Sequence, residues 1–139
     1  HITGQPLGFL IWPEPTAPEI LLYHLGDTAS SYDMKMAKEL WAPPMAIVGL
    51  GGAPDLPHDM DPDEASLAVE WLGVSHVVPM HFWPPSGDAQ RFASAVARRS
   101  PGVSVHVMSN NDELMLGSTL TGRKRTLTVR PARETAAIG

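Results

Sequence analysis

Short apolar runs alternate with segments of helical period along most of this chain. Leu7-Gly8-Phe9-Leu10-Ile11-Trp12 is an apolar run that ends at Pro13-Glu14-Pro15-Thr16-Ala17-Pro18, and a second run, residues 20–24, follows. Together they predict two strands paired as an antiparallel hairpin. Residues 32–41 predict a helix. Ser30 with Asp33 three positions later marks its start, Met36, Ala37, Leu40 and Trp41 fall on one face, and Pro43-Pro44 stops it. A buried strand is predicted over 45–50, ending in Gly51-Gly52.

The second helix carries the fullest set of signals. Asp61 stands at the cap position, Pro62 at the first helical position and Glu64 at the capping-box position. Ala65, Ala68, Val69 and Leu72 recur at i, i+3, i+4 and i+7, and Gly73 closes the helix. A strand over 74–80 comes next, then a stiff loop, Phe82-Trp83-Pro84-Pro85-Ser86-Gly87. A third helix is predicted over 88–99 with Phe92, Ala95 and Val96 inward, followed by strands over 103–108 and 113–116. Strands alternating with short helices, without a fixed-period repeat, predict an α/β layered fold.

Composition bounds this picture without changing it. A chain of 139 residues, 43% hydrophobic and 18% charged, fits a globular domain with a real core. No apolar run approaches the ~20 residues of a membrane helix, and no basic segment followed by an apolar stretch opens the sequence. The expected compartment is the cytoplasm. Without cysteine there are no disulfides, thiolate zinc sites or cysteine nucleophiles, so any metal must be held by His, Asp and Glu. Net charge is −5, yet residues 1–122 hold five basic and fourteen acidic side chains and residues 123–139 hold five basic and one acidic. The acidic body argues against nucleic acid as a partner. Arg123-Lys124-Arg125, Arg130 and Arg133 make a basic extension, expected to be solvated or to pack on another subunit.

Two stretches carry the candidate chemistry: Tyr23-His24-Leu25-Gly26-Asp27-Thr28 and Val77-Val78-Pro79-Met80-His81-Phe82. One strand ends in a carboxylate, Asp27, and the other in an imidazole, His81. Strands so ended can aim both groups at one point beyond a sheet, where α/β enzymes commonly build sites. Taken singly, each has a plainer reading. Asp27 fits a turn aspartate, and His81 fits a core histidine beside aromatic residues. His24, His76 and His106 read as structural. Asp55, Asp59, Asp61 and Asp63 read as caps and solvated carboxylates, since they lack the glycine and distal glutamate of a calcium loop. Met34, Met36 and Met45 fit core packing, and Ser30-Ser31 fits a helix cap rather than a nucleophile.

The ordered set of Gly8-Phe9, Tyr23-His24-x-Gly26-Asp27-Thr28, Asp33-Met34-Lys35, Gly51-Gly52, Met60-x-Pro62-x-Glu64-Ala65 and Pro79-Met80-His81-Phe82 resembles a known family. These are the small metal-dependent hydrolases of the metallo-β-lactamase superfamily, relatives of ascorbate-6-phosphate lactonases and N-acylphosphatidylethanolamine phospholipases. The resemblance covers roughly residues 7–116 and implies the C-terminal half of an αββα sandwich, residues 1–117, with 118–139 as the basic extension. It implies that Asp27 bridges two metal ions and that His81 binds the second. It also implies zinc, with manganese or iron as alternatives, and a hydroxide held by the ions as the nucleophile on an ester, lactone, amide or phosphodiester.

The sequence also departs from that family. Its H-x-H-x-D-H hallmark is absent. His1, upstream of the first strand, is the candidate for the histidine such enzymes place between the hallmark and Gly-Asp-Thr. A histidine often follows Gly-Gly directly in the family; here the loop is longer and the candidate substrate contact, His58, is displaced. Trp83 either walls a small-molecule substrate or covers the core beneath the third helix. Two readings stay open: part of a dinuclear hydrolase, or a non-catalytic half-domain that packs on a partner. Either way, a sheet face carrying Phe9, Ile11, Leu21, Ile47, Val77 and Val78 is expected to need cover. That cover would come from the missing N-terminal half, a companion chain bearing the hallmark, or a homo-oligomer; neither nucleic acid nor a membrane is expected as partner.

Overall fold

The computed structural model describes residues 7–13, 19–51, 59–121 and 124–131. The elements run β1 (Phe9–Ile11), β2 (Leu22–His24), α1 (Asp33–Trp41), β3 (Met45–Gly49), α2 (Pro62–Leu72), β4 (His76–Met80), a 3-10 turn (Pro84–Ser86), α3 (Asp88–Arg99), β5 (Ser104–Val105), β6 (Leu114–Thr121) and β7 (Lys124–Pro131). The chain divides into two units, His1–Val107 and Met108–Gly139. In the first, five strands form one sheet in the order β1-β2-β3-β4-β5. β1 and β2 are antiparallel, as the hairpin pattern predicts, and β2 through β5 run parallel. Each parallel step needs a crossover, and α1, α2 and α3 supply them. Successive right-handed crossovers onto strands added in one direction put all three helices on one face.

The core lies between that face and the helices. Ala46, Val48 and Val77 from the strands meet Met34 and Ala37 of α1, Ala65, Ala68, Val69 and Leu72 of α2, and Phe92 and Val96 of α3. The α2 face is the one its periodicity predicts, and burial of Val69 and Leu72 each contributes roughly 1.5–3 kcal/mol relative to exposure. The Asp61 cap and the Gly73 stop are as expected, the Asp61 carboxylate accepting the Glu64 N–H at 2.8 Å and Gly73 closing the helix at φ 63°, whereas the Glu64 carboxylate binds Ser30. Ser66 is fully buried yet satisfied, donating to the Asp63 carbonyl at 2.7 Å and accepting from Arg99 of α3 at 3.1 Å.

Several expectations change. The strands are shorter than their apolar runs, and Leu25, Leu50 and Val74 lie just outside them yet are buried. Met34 and Ala37 form the buried face of α1, while Met36, Leu40 and Trp41 are exposed, so Met36 is not a core residue. Val77 faces the helices. Alternation along the strands leaves Phe9, His24, Ile47 and Val78 as one lateral row on the opposite face, in register Phe9↔His24, His24↔Ile47 and Ile47↔Val78. In the second unit β6 and β7 pair antiparallel from Leu114↔Pro131 to Thr121↔Lys124. Much of the stretch read as a basic extension is thus one arm and the end of the other arm of a hairpin.

Candidate metal centre

Because β2, β3 and β4 are parallel, their carboxyl ends emerge together, the place where α/β sheets hold ligands. Asp27 follows β2, Gly51 follows β3, and His81 follows β4. Each exit is held by a specific device. Gly26 has φ 69°, and a Cβ there would lie 2.4 Å from the Leu7 carbonyl oxygen, so only glycine fits the turn. His24 Nδ1 accepts the Gly26 N–H at 3.1 Å, which gives this histidine the structural task expected of it. His81 itself sits at φ 62°, a left-handed conformation costing on the order of 1–3 kcal/mol that the surrounding fold must sustain. The Leu50 N–H donates to the Met80 carbonyl at 2.8 Å, fixing the β3 and β4 exits side by side. A parallel bridge between Leu50 and Met60 brings the chain back along the β3 exit and delivers Asp59.

At this point three ligand-type side chains meet. Asp27 Oδ1 is 2.9 Å from His81 Nδ1, and Asp59 Oδ2 is 3.8 Å from the same nitrogen. One ligand atom from each of Asp27, Asp59 and His81 lies within 4.8 Å of the others. Asp27 and His81 are open to solvent, whereas Asp59 is mostly covered. Its Oδ1 is buried and, among the described residues, accepts no hydrogen bond. A buried carboxylate oxygen left unpaired is costly unless a cation satisfies it. Gly51 leaves the room Asp59 occupies, since a Cβ there would sit 2.6 Å from Asp59 Oδ2. An orphaned oxygen, a side-chain-free cradle and an oxygen-and-imidazole donor set fit a divalent cation.

Asp27 and His81, singled out from sequence, are therefore neighbours in space. His1 and His58 lie outside the described residues. Trp83 is 71% exposed, which removes the reading that it covers the core; Phe82 packs there instead. His76 and His106 pair with each other at the β4–β5 edge, Nδ1 to Nε2 at 3.1 Å, and take no part in the ligand cluster. Ser30 does not cap α1: its N–H and hydroxyl both donate to Glu64 Oε1, at 3.0 and 2.6 Å, tying the segment after Asp27 to α2. Asp59 is the residue sequence reasoning missed. It stood in a run of carboxylates that capping explained, and only the glycine at the β3 exit hinted at a side chain packing against it. A groove of about 500 Å³ lined by Asp61, Asp63, Asp88 and Arg98 contains none of these three side chains.

No family model matches the chain. A protein of Caldivirga maquilingensis named UPF0173 metal-dependent hydrolase is 35% identical over 116 residues, 81% of this chain and 48% of that protein. A protein of the same name from Korarchaeum cryptofilum is 51% identical over 79 residues, 57% of this chain and 32% of that protein. Among solved structures, a metallo hydrolase from the hyperthermophilic archaeon Ignicoccus hospitalis aligns with TM-score 0.56 and 35% identity, over 66% of this chain and 38% of that one. The chain spans about half or less of the length of these relatives.

Proposed function

We propose that this chain, a member of the metal-dependent hydrolases of metallo-β-lactamase-like fold, supplies the C-terminal half of a hydrolytic metal centre. The observation that carries this is the convergence of Asp27 and His81, 2.9 Å apart, beyond the carboxyl ends of parallel strands. Divalent cations, zinc foremost, supply Lewis acidity and lower the pKa of water. The protein's part is to hold them. Asp27, with two oxygens, would suit a position shared by two ions, and His81 would offer a nitrogen to one of them. The left-handed turns at Gly26 and His81 set the direction from which the two side chains enter the site.

The substrate class is an ester, lactone, amide or phosphodiester. Exposed Trp83, two residues beyond His81 and followed by Pro84-Pro85, offers a stiff aromatic wall for an acyl or ring-bearing group. The rest of the centre comes from a segment bearing H-x-H-x-D-H, which packs on the sheet face opposite the helices, where Phe9 and Ile11 are 56% and 40% exposed. Relatives about twice as long support this completion. The same half-length favours the second reading, a non-catalytic half-domain, for the chain acting alone.

The deciding experiment joins or co-expresses the chain with such an N-terminal segment and assays ester, lactone and phosphodiester hydrolysis with and without chelator. Activity that chelation removes and zinc restores, and that Asp27→Asn abolishes, is expected. Chelator-resistant activity, or full activity in Asp27→Asn, would refute the assignment.

A further inference from the structure

Resting on that reading, we infer that Asp59 is a third protein ligand, and that Asp27, Asp59 and His81 together let this chain hold one divalent cation without its missing half. Three observations combine. Asp59 reaches the cluster from a different connection than the other two, so the donors approach from three exits, after β2, before α2 and after β4. Its Oδ1 is buried without a hydrogen-bond partner among the described residues, although an ionised carboxylate can accept several. Its Oδ2 occupies the space that Gly51 leaves vacant, 2.6 Å from where a Cβ would be, and so is fixed in direction.

A turn or capping role accounts for none of these, because the cap of α2 is Asp61. Two carboxylates held near one another repel as anions, and a cation between them reverses the sign of that interaction. Three protein donors with the solvent side open match the usual arrangement of a catalytic ion, which keeps a position for water. Two oxygens and one nitrogen also make this face more oxygen-rich than a histidine-dominated zinc site, so manganese binding within reach of zinc binding is expected.

The test uses the purified chain after chelator treatment, with zinc and then manganese titrated calorimetrically and retained metal counted after dialysis. One ion per chain is expected. Asp59→Asn should raise the zinc Kd at least tenfold and abolish most of the zinc-induced rise in Tm, while its metal-free Tm stays at or above that of the parent. Gly51→Ala, which keeps the carboxylate but crowds it, should weaken zinc in the same direction and serves if Asp59→Asn does not fold. Asp63→Asn, an exposed position on α2, should change neither quantity. Unaltered zinc affinity in folded Asp59→Asn, or in Gly51→Ala where Asp59→Asn does not fold, would overturn the role of Asp59. If Asp27→Asn and His81→Ala then still lose zinc, the proposed function survives that result. A parent chain that retains no ion would overturn the three-ligand site, leaving the two-residue assignment to the chelation assay on the completed enzyme.

Discussion

Asp27 reaches His81 only because Gly26 turns the chain at φ 69° beneath the Leu7 carbonyl. Gly26→Ala would add both left-handed strain and a backbone clash. It should lower stability by on the order of 2 kcal/mol or more, seen in denaturant unfolding, and weaken metal binding in parallel. His106 gives a separate residue-level prediction. Burial, and then the neighbouring His76, push its pKa below the ordinary 6.5. The folded state thus binds fewer protons than the unfolded one at this position. Its contribution is present above about pH 6.5 and is lost as pH falls through the lowered folded value. Unfolding midpoints measured from pH 8 to pH 5 should decline, and His106→Asn should flatten that part of the decline. Asp27 and His81 were legible in the sequence because each closes an apolar run. Asp59 was not, because the residues that bring it back from Gly51 carry no strand or helix pattern, and its neighbour Asp61 has an obvious capping role that it does fulfil.

At the level of elements, the site lies at three parallel strand exits, tied to one another by backbone hydrogen bonds and to α2 through Ser30 and Glu64. The Ser30–Glu64 contact joins the exit of β2 to the first turn of α2, across 34 positions of sequence. Glu64→Ala removes a carboxylate that accepts two hydrogen bonds. It should cost about 1.5–3 kcal/mol and loosen the segment after Asp27, which faster amide exchange at Ser30 would report. The α2 helix could be read residue by residue because propensity, capping and periodicity agree at Asp61, Pro62, Leu72 and Gly73. The α1 face could not, since its large apolar residues, Met36, Leu40 and Trp41, are exposed and the smaller Ala37 with Met34 is buried. The start of β6 was predicted over 113–116, but its partner β7 went unread for a different reason. Thr126-Leu127-Thr128-Val129-Arg130 has strand alternation, with Leu127 and Val129 half-buried and Thr128 and Arg130 exposed, but its positive charge drew attention instead.

At the level of the molecule, the first unit is a sheet with helices on one face and a row of Phe9, His24, Ile47 and Val78 on the other. Among the described residues, no helix is long and apolar enough to cross a membrane. The exposed Phe9 and Ile11 lead us to expect self-association of the isolated chain, and its relief on adding the complementary half. Light scattering with and without that half would check this; a dispersed monomer at micromolar concentration would speak against it. The proposed centre stands or falls with metal held by Asp27 and His81. Its most direct test is the zinc content of the completed protein by elemental analysis, comparing the parent with Asp27→Asn, His81→Ala and His76→Ala. Two ions in the parent, loss of both in Asp27→Asn, loss chiefly of one in His81→Ala and no loss in His76→Ala are predicted. Full zinc in folded Asp27→Asn, or equal loss from all three variants, would contradict it.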